Sequence, residues 1–333
     1  MGIKNLSALI NQYAPKSVSK KQFNDLNGKK IVIDASLLIY SYVIAIRNTS
    51  YDLTNINGDM TSHIHAVVSK TLLYLDNSIT PIFVFDGKPP NLKNETLDKR
   101  RDDRQIARKL LDDASDDETD KKIKLFKKTT TISLKQMDQC KEILRAMGIP
   151  VIEAPEESDS QCASLTIHND VYGVGSEDMD ILTFGAKKLL RNISSSKKNE
   201  IVEYDLNKIL AELQYTNEEF IDLCILLGCD YVEHLDGVGI KKAKDIIDEF
   251  RSIENFVEKS LDVINGKYII PSDYMVKVKS ARSYFLTAPS VSLINNQLKL
   301  NLPNEKKIKD LLINKYSYSK TKVDKIINKI INT

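Results

Sequence analysis

The chain has 333 residues, 42% of them hydrophobic and 28% charged, with 48 basic against 46 acidic side chains and a formal net charge of +2. This is enough apolar material for one large or two modest domains, and the near balance of charge excludes a global basic field as the mark of a nucleic-acid partner. The opening MGIKNLSALINQ is too short and polar for a secretory segment, no apolar run approaches membrane-spanning length, and Leu6 stands where an N-myristoylation signal needs Ser or Thr. Cys140, Cys162, Cys224 and Cys229 form no C-x-x-C pair, so they read as reduced core thiols. The expected location is nuclear or cytoplasmic, or a viral replication site if the protein is viral, and not secreted.

In chain order, residues 31–34 (IVID) and 81–86 (PIFVFD) read as short strands buried on both faces, with helices at 37–46 and 61–76 between them. Strand, long connection and strand predict a parallel sheet with crossover helices, hence an α/β fold. Residues 92–139 are charge-dense and read as two helices joined by a turn at 112–120. A helix closed by Gly148 and Pro150 follows, then strand VIEAP, helix EESDSQCASLTI and strand VYGVG. Residues 218–250 read as helical with a break at Gly237-Val238-Gly239, and residues 302–332 as two basic amphipathic helices.

Acids recur where apolar runs end: Asp34, Asp86, Glu157, Asp159, Asp178, Asp180 and Asp230. In an open parallel sheet, functional groups gather beyond the carboxyl ends of strands. One such Asp is ordinary turn chemistry, and Glu157 and Asp159 suit the first turn of a helix. Seven together in one crevice would require cations to stay ionised. Oxygen ligands without His or Cys select magnesium, with manganese as a substitute, rather than zinc. So many acids suggest two ions, roughly 3.5–4 Å apart as in nucleases and polymerases. Asp180 is expected to reach the second ion, and Glu177 to be a helper or surface acid.

Lys93 and Arg100 are spaced to share a helix face and could grip a phosphate, or could be solvated cations. Tyr40 is either core or a platform on which a base stacks. Gly237 and Gly239, followed by Lys241, Lys242 and Lys244, read as a helix–hairpin–helix type element whose backbone amides and lysines meet duplex phosphates.

The segments MGIKNLSALI, IVIDAS, VFDGKPPNLK, APEESDSQCA, SEDMDILTFG, DLCILLGCDY and GVGIKKA, in this order, resemble the flap endonuclease family of structure-specific 5′ nucleases. The resemblance runs from residue 1 to about 255 and more weakly to about 330. It implies a PIN-like, three-layer α/β/α fold with a central, mostly parallel sheet and a helical arch. It also implies two magnesium ions, and incision near the base of 5′ flaps with 5′–3′ exonuclease activity in DNA replication and repair. The parts would be an N-terminal nuclease region (1–108), the arch (92–139), an internal nuclease region (140–255) with a hairpin motif at 228–248, and a C-terminal helical region (256–333), all within one nuclease domain. By match, the seven acids are the metal set, Lys93 and Arg100 the arch cations and Tyr40 the stacking residue. Arg47, Lys70 and Gly228 resemble DNA contacts, Gly237 and Gly239 the hairpin, and the carbonyls of Leu235 and Val238 could hold potassium. Gly2 suggests removal of the initiator methionine.

The sequence departs from the family at Asp159, where Glu is usual, at Ile56 and Asn57, which replace an acidic pair, and at Asp236, which replaces a basic hairpin residue. No sliding-clamp motif precedes Thr333, so a clamp contact is unsupported. The partner expected is DNA bearing 5′ flaps or nicks. A bubble- or junction-cutting or purely exonucleolytic relative is the alternative within the superfamily. An inactive DNA-binding scaffold is the alternative of another class, and a missing acid would have favoured it.

Overall fold

A computed structural model describes residues 2–47, 53–113, 119–194, 200–263 and 269–332. Its strands are β1 (Val18–Lys21), β2 (Lys30–Asp34), β3 (Thr80–Phe85), β4 (Val151–Glu153), β5 (Gly173–Gly175), β6 (Lys188–Arg191) and β7 (Ile201–Asp205). Strand β2 pairs in parallel with β3, β3 with β4 and β5 with β6, and β7 runs antiparallel to both β1 and β6. The fold class is therefore α/β, mixed but mostly parallel among the described residues. The chain divides into two compact units that interleave in sequence. The first comprises Met1–Gln22, Gly87–Thr96 and Ala154–Val291; the second comprises Phe23–Asp86, Leu97–Glu153 and Ser292–Thr333.

In the first unit the strand order is β1-β7-β6-β5. The buried Gly173, Val174 and Gly175 of β5 lead directly into the acidic loop, which turns into the short helix Asp180–Thr183. Helix Ser158–His168 begins three residues beyond Pro155, with Glu157 at its N-cap. Helix Asn217–Leu227 is closed at its start by reciprocal bonds between Thr216 and Glu219. Its interior is apolar almost throughout, as befits a central helix.

The second unit holds β2-β3-β4. Ile31, Val32 and Ile33 of β2 and Ile82, Phe83, Val84 and Phe85 of β3 are all buried, which matches strands covered on both faces. The amide of Leu37 donates to Asp34 Oδ1 at 3.2 Å, so Asp34 ends a strand and caps the helix Ala35–Arg47 in one step. The charge-dense stretch forms helices Asn94–Asp112 and Thr119–Lys128; the expected turn between them lies largely outside the described residues.

Three strands, β1, β6 and β7, have no counterpart in the sequence reading. They are short and carry charges inside the strand, so neither alternation nor an apolar run marks them. The charge is tolerated because it is paired: buried Glu203 of β7 accepts from the Tyr172 hydroxyl at 2.5 Å and from Lys188 at 3.4 Å. Residues 218–250 also differ from expectation. The helix ends at Leu227, residues 228–239 are not helical, and helix Ile240–Phe250 then begins. The break is wider because Gly228 already turns the chain, at φ 93°.

Candidate active site

The acidic loop after β5 is built by side chains answering backbone amides. The Asp178 amide donates to Ser176 Oγ at 3.1 Å, and the Asp180 amide donates to Asp178 Oδ1 at 3.1 Å. Asp180 is buried, and the Ile3 amide donates to its Oδ1 at 2.5 Å. Burial pushes the Asp180 carboxyl well above the usual carboxylate range, and the negative charges of Asp178 and Asp230 push the same way. Gly2 sits at φ 85°, where a Cβ would lie 2.0 Å from Asp178 Oδ1 and 2.6 Å from Asp180 Oδ1. A side chain at that position would have to displace those carboxylates, and the backbone angle would strain it.

Lys93 closes the other side of this cluster. It ends the turn Asn91–Lys93, and its ammonium pairs with Glu157 Oε1 and, at 3.0 Å, with Asp230 Oδ2. Burial alone would lower its pKa, but Glu157, Asp230 and more weakly Asp159 outweigh burial and raise it. The backbone around Asp230 is fixed by the Thr96 hydroxyl, which donates to the Asp230 carbonyl at 2.7 Å. The first unit thus brings Glu157, Asp178, Asp180 and Asp230 around Lys93 and the chain's start, with Asp159 in the first helical turn after Glu157.

The second unit carries the other two acids of the set. Asp34 lies opposite Val84 across the β2–β3 ladder, and Asp86 directly follows β3. Both therefore stand at the carboxyl ends of neighbouring parallel strands, as the sequence pattern required. Asp34 is buried, whereas Asp86 is exposed and its amide donates to Ser36 Oγ at 3.4 Å. Tyr40 is half-buried in helix Ala35–Arg47, neither locked in the core nor fully free. Lys70 lies 5.6 Å over the Tyr42 ring, and burial lowers its pKa. Arg100 is half-buried on helix Asn94–Asp112, where its carbonyl accepts from Arg104 Nε at 3.0 Å. Arg47 ends its helix, and its side chain lies outside the described residues.

The hairpin region has the expected glycines with unequal needs. At Gly228 a Cβ would come within 2.8 Å of the His234 Cβ, and Gly237 adopts φ 78°, so both positions require glycine. Gly239, the N-cap of helix Ile240–Phe250, has open space and ordinary extended backbone. Lys241 and Lys242 are exposed. Lys244 is used internally: it pairs with Asp248 at 2.5 Å and lies over the rings of Tyr13 and Tyr215. The Leu235 carbonyl accepts from the Val238 amide at 3.1 Å, which closes the turn.

Among the described residues, no three His, Cys, Asp and Glu side chains are already spaced as a metal cage. In the first unit the reason is visible, since an ammonium stands among the carboxylates. The donor set still fits hard divalent cations. It is all oxygen, it holds more negative charge than Lys93 balances, and Asp180 in particular is buried beside like charge.

Two features escaped the sequence reading. Tyr231 donates its hydroxyl to Glu157 Oε2, although the DY pair in GCDY was in view. Ile3 serves Asp180 through its backbone, and backbone donors leave no trace in residue type. Glu177, by contrast, accepts from the Asn192 amide at 2.7 Å and pairs by charge with Arg191 at 3.3 Å. It fastens the end of β6 to the acidic loop.

Residues 1–107 match the XPG N-terminal domain and residues 148–230 the XPG I-region, which together define the XPG class of nucleases. Flap endonuclease 1-A of Oryza sativa subsp. japonica is 40% identical over 334 aligned residues, covering 99% of this chain and 86% of that protein. The chain belongs to the flap endonuclease family. Among solved structures, flap endonuclease-1 from Methanococcus jannaschii superposes with a TM-score of 0.72 at 27% identity, covering 97% of both chains. The catalytic core of Rad2 in complex with DNA substrate shares the fold, with a TM-score of 0.74 at 24% identity over 99% of this chain and all of that one. The fold is accordingly PIN-like, as the sequence resemblance implied.

Proposed function

We propose that this chain is a structure-specific flap endonuclease that hydrolyses DNA phosphodiesters near the base of 5′ flaps and acts as a 5′–3′ exonuclease on nicked duplexes, in DNA replication and repair. The observation that carries the reading is the 40% identity to a flap endonuclease along nearly the whole chain. The buried carboxylates around Lys93 and Asp180 give it a chemical basis.

Asp34, Asp86, Glu157, Asp159, Asp178, Asp180 and Asp230 would hold two divalent cations, magnesium by the hardness of the donors, with manganese able to replace it. Bound there, such ions supply Lewis-acid stabilisation of the phosphate and a nucleophile at neutral pH. Lys93 and Arg100 donate hydrogen bonds to the scissile phosphate, and Tyr40 stacks on a base beside it. Arg47 and Lys70 contact the DNA. Downstream duplex is held at Gly228, Gly237, Gly239, Lys241 and Lys242, with the carbonyls of the same turn offering a potassium site. The reduced cysteines support a nuclear or cytoplasmic setting, or a viral replication site.

The test is incision of flap, nicked, bubble and four-way-junction DNA with magnesium titrated from zero. Metal-dependent cutting that favours flaps is expected. Preference for junctions or bubbles, or cutting without divalent metal, would refute the assignment.

A further inference from the structure

Both oxygens of Glu157 are held within the protein. Lys93 takes Oε1, and the hydroxyl of Tyr231 donates to Oε2. Tyr231 is itself buried. Its ring meets Tyr284 and Phe285 edge-on, each at 5.2 Å between centroids with interplanar angles of 70° and 66°. Both partners come from helix Tyr274–Thr287. That helix is anchored in turn by Arg282, which donates to both oxygens of Asp222, at 2.7 and 2.8 Å, and to both of Glu254 at the same distances. A phenol held this firmly can fix the orientation of the carboxylate it touches.

We propose that Tyr231 is a positioning residue for Glu157, setting the rotamer in which that carboxylate presents oxygen to a divalent cation. Lys93 holds Glu157 only while its ammonium stays among the carboxylates. When Lys93 turns to a phosphate, Tyr231 keeps Glu157 in place, so the lysine moves without loosening the ligand. The helix Tyr274–Thr287, far along the chain from every acid of the set, thereby contributes to metal binding through a ring and a hydroxyl. This inference rests on the assignment of Glu157 as a metal ligand given above.

The test titrates manganese into the full chain without DNA and follows the free-ion signal by electron paramagnetic resonance, with thermal unfolding as the check on folding. Tyr231→Phe keeps the ring and removes the hydroxyl. It is expected to unfold near the wild-type midpoint and to bind manganese about 10- to 100-fold more weakly, the usual effect of losing a partner of a metal ligand. Phe285→Leu, which keeps the hydroxyl but loosens the ring, is expected to weaken binding in the same direction, and it serves as the second arm if Tyr231→Phe unfolds. A tyrosine with only a packing role would change the melting temperature and leave manganese affinity alone. If Tyr231→Phe, or in its place Phe285→Leu, binds manganese like wild type while Glu157→Gln does not, the inference is overturned and the metal assignment stands. If Glu157→Gln also binds like wild type, or wild type takes up no manganese, the metal assignment fails and the inference with it.

Discussion

The Ile3 amide donates to Asp180 Oδ1 at 2.5 Å, joining the start of the chain to a carboxylate 177 positions away. Gly2 makes this possible, because its α-carbon carries nothing that would collide with Asp178 and Asp180. Gly2→Ala is therefore expected to displace one or both carboxylates and to slow flap incision about 10- to 100-fold, in the range seen when support around metal ligands is disturbed. Single-turnover incision rates, compared with flap affinity measured in calcium, would show the loss in rate and not in binding.

Asp180 and Glu177 sit three positions apart and face different tasks. Asp180→Ala removes the most buried acid of the cluster and is expected to lower the incision rate by at least about 10²- to 10³-fold, as for loss of a preorganised electrostatic group, while flap binding persists. Glu177→Ala removes only the tie to Asn192 and Arg191 and is expected to remain within a few-fold of wild type. Incision assays on the two variants side by side check both statements.

Arg282→Ala leaves Asp222 buried without its bidentate partner and loosens helix Tyr274–Thr287 from helices Asn217–Leu227 and Ile253–Val263. Breaking one side of a buried ion pair costs about 3–5 kcal/mol. Chemical denaturation should show a lower midpoint for this variant at neutral pH, with a slope close to that of wild type.

His65 stacks on Tyr318, with ring centroids 4.6 Å apart. Burial, then the nearby charge of Lys322, lowers its pKa from 6.5 to about 4. The folded state therefore binds the proton less readily than the unfolded state. Its contribution to stability is full above pH 6.5 and is lost as the pH falls toward about 4. His65→Phe keeps the stack and cannot titrate, so its melting temperature should fall less than that of wild type between pH 7 and pH 5. Equal falls in the two proteins would remove His65 from the account.

Much of the architecture was written in local pattern. Apolar runs ending in Asp marked β2 and β3 because strands covered on both faces have no polar alternation to blur them. Gly237 marked a turn because only glycine takes its backbone angle freely, whereas the turn at Gly228 lay inside a stretch expected to be helical. The strands β1, β6 and β7 were missed because their charges are neutralised by partners distant in sequence, as Glu203 is by Lys188 and Tyr172. Lys244 looked like a DNA contact although Asp248, one helical turn on, pairs with its ammonium, and the Tyr13 ring beneath it comes from the far end of the chain.

Residue type and order alone identified the acids, the lysine beside them and the family, because carboxylates at strand ends carry their chemistry in the side chain. Tertiary structure decided which atoms answer those acids. The Ile3 amide, the Tyr231 hydroxyl and the Lys93 ammonium reach them only after segments far apart in the chain have packed together. Hydrogen bonds and charge pairs are short-ranged and directional, so they depend on folded distances that one-dimensional spacing does not encode.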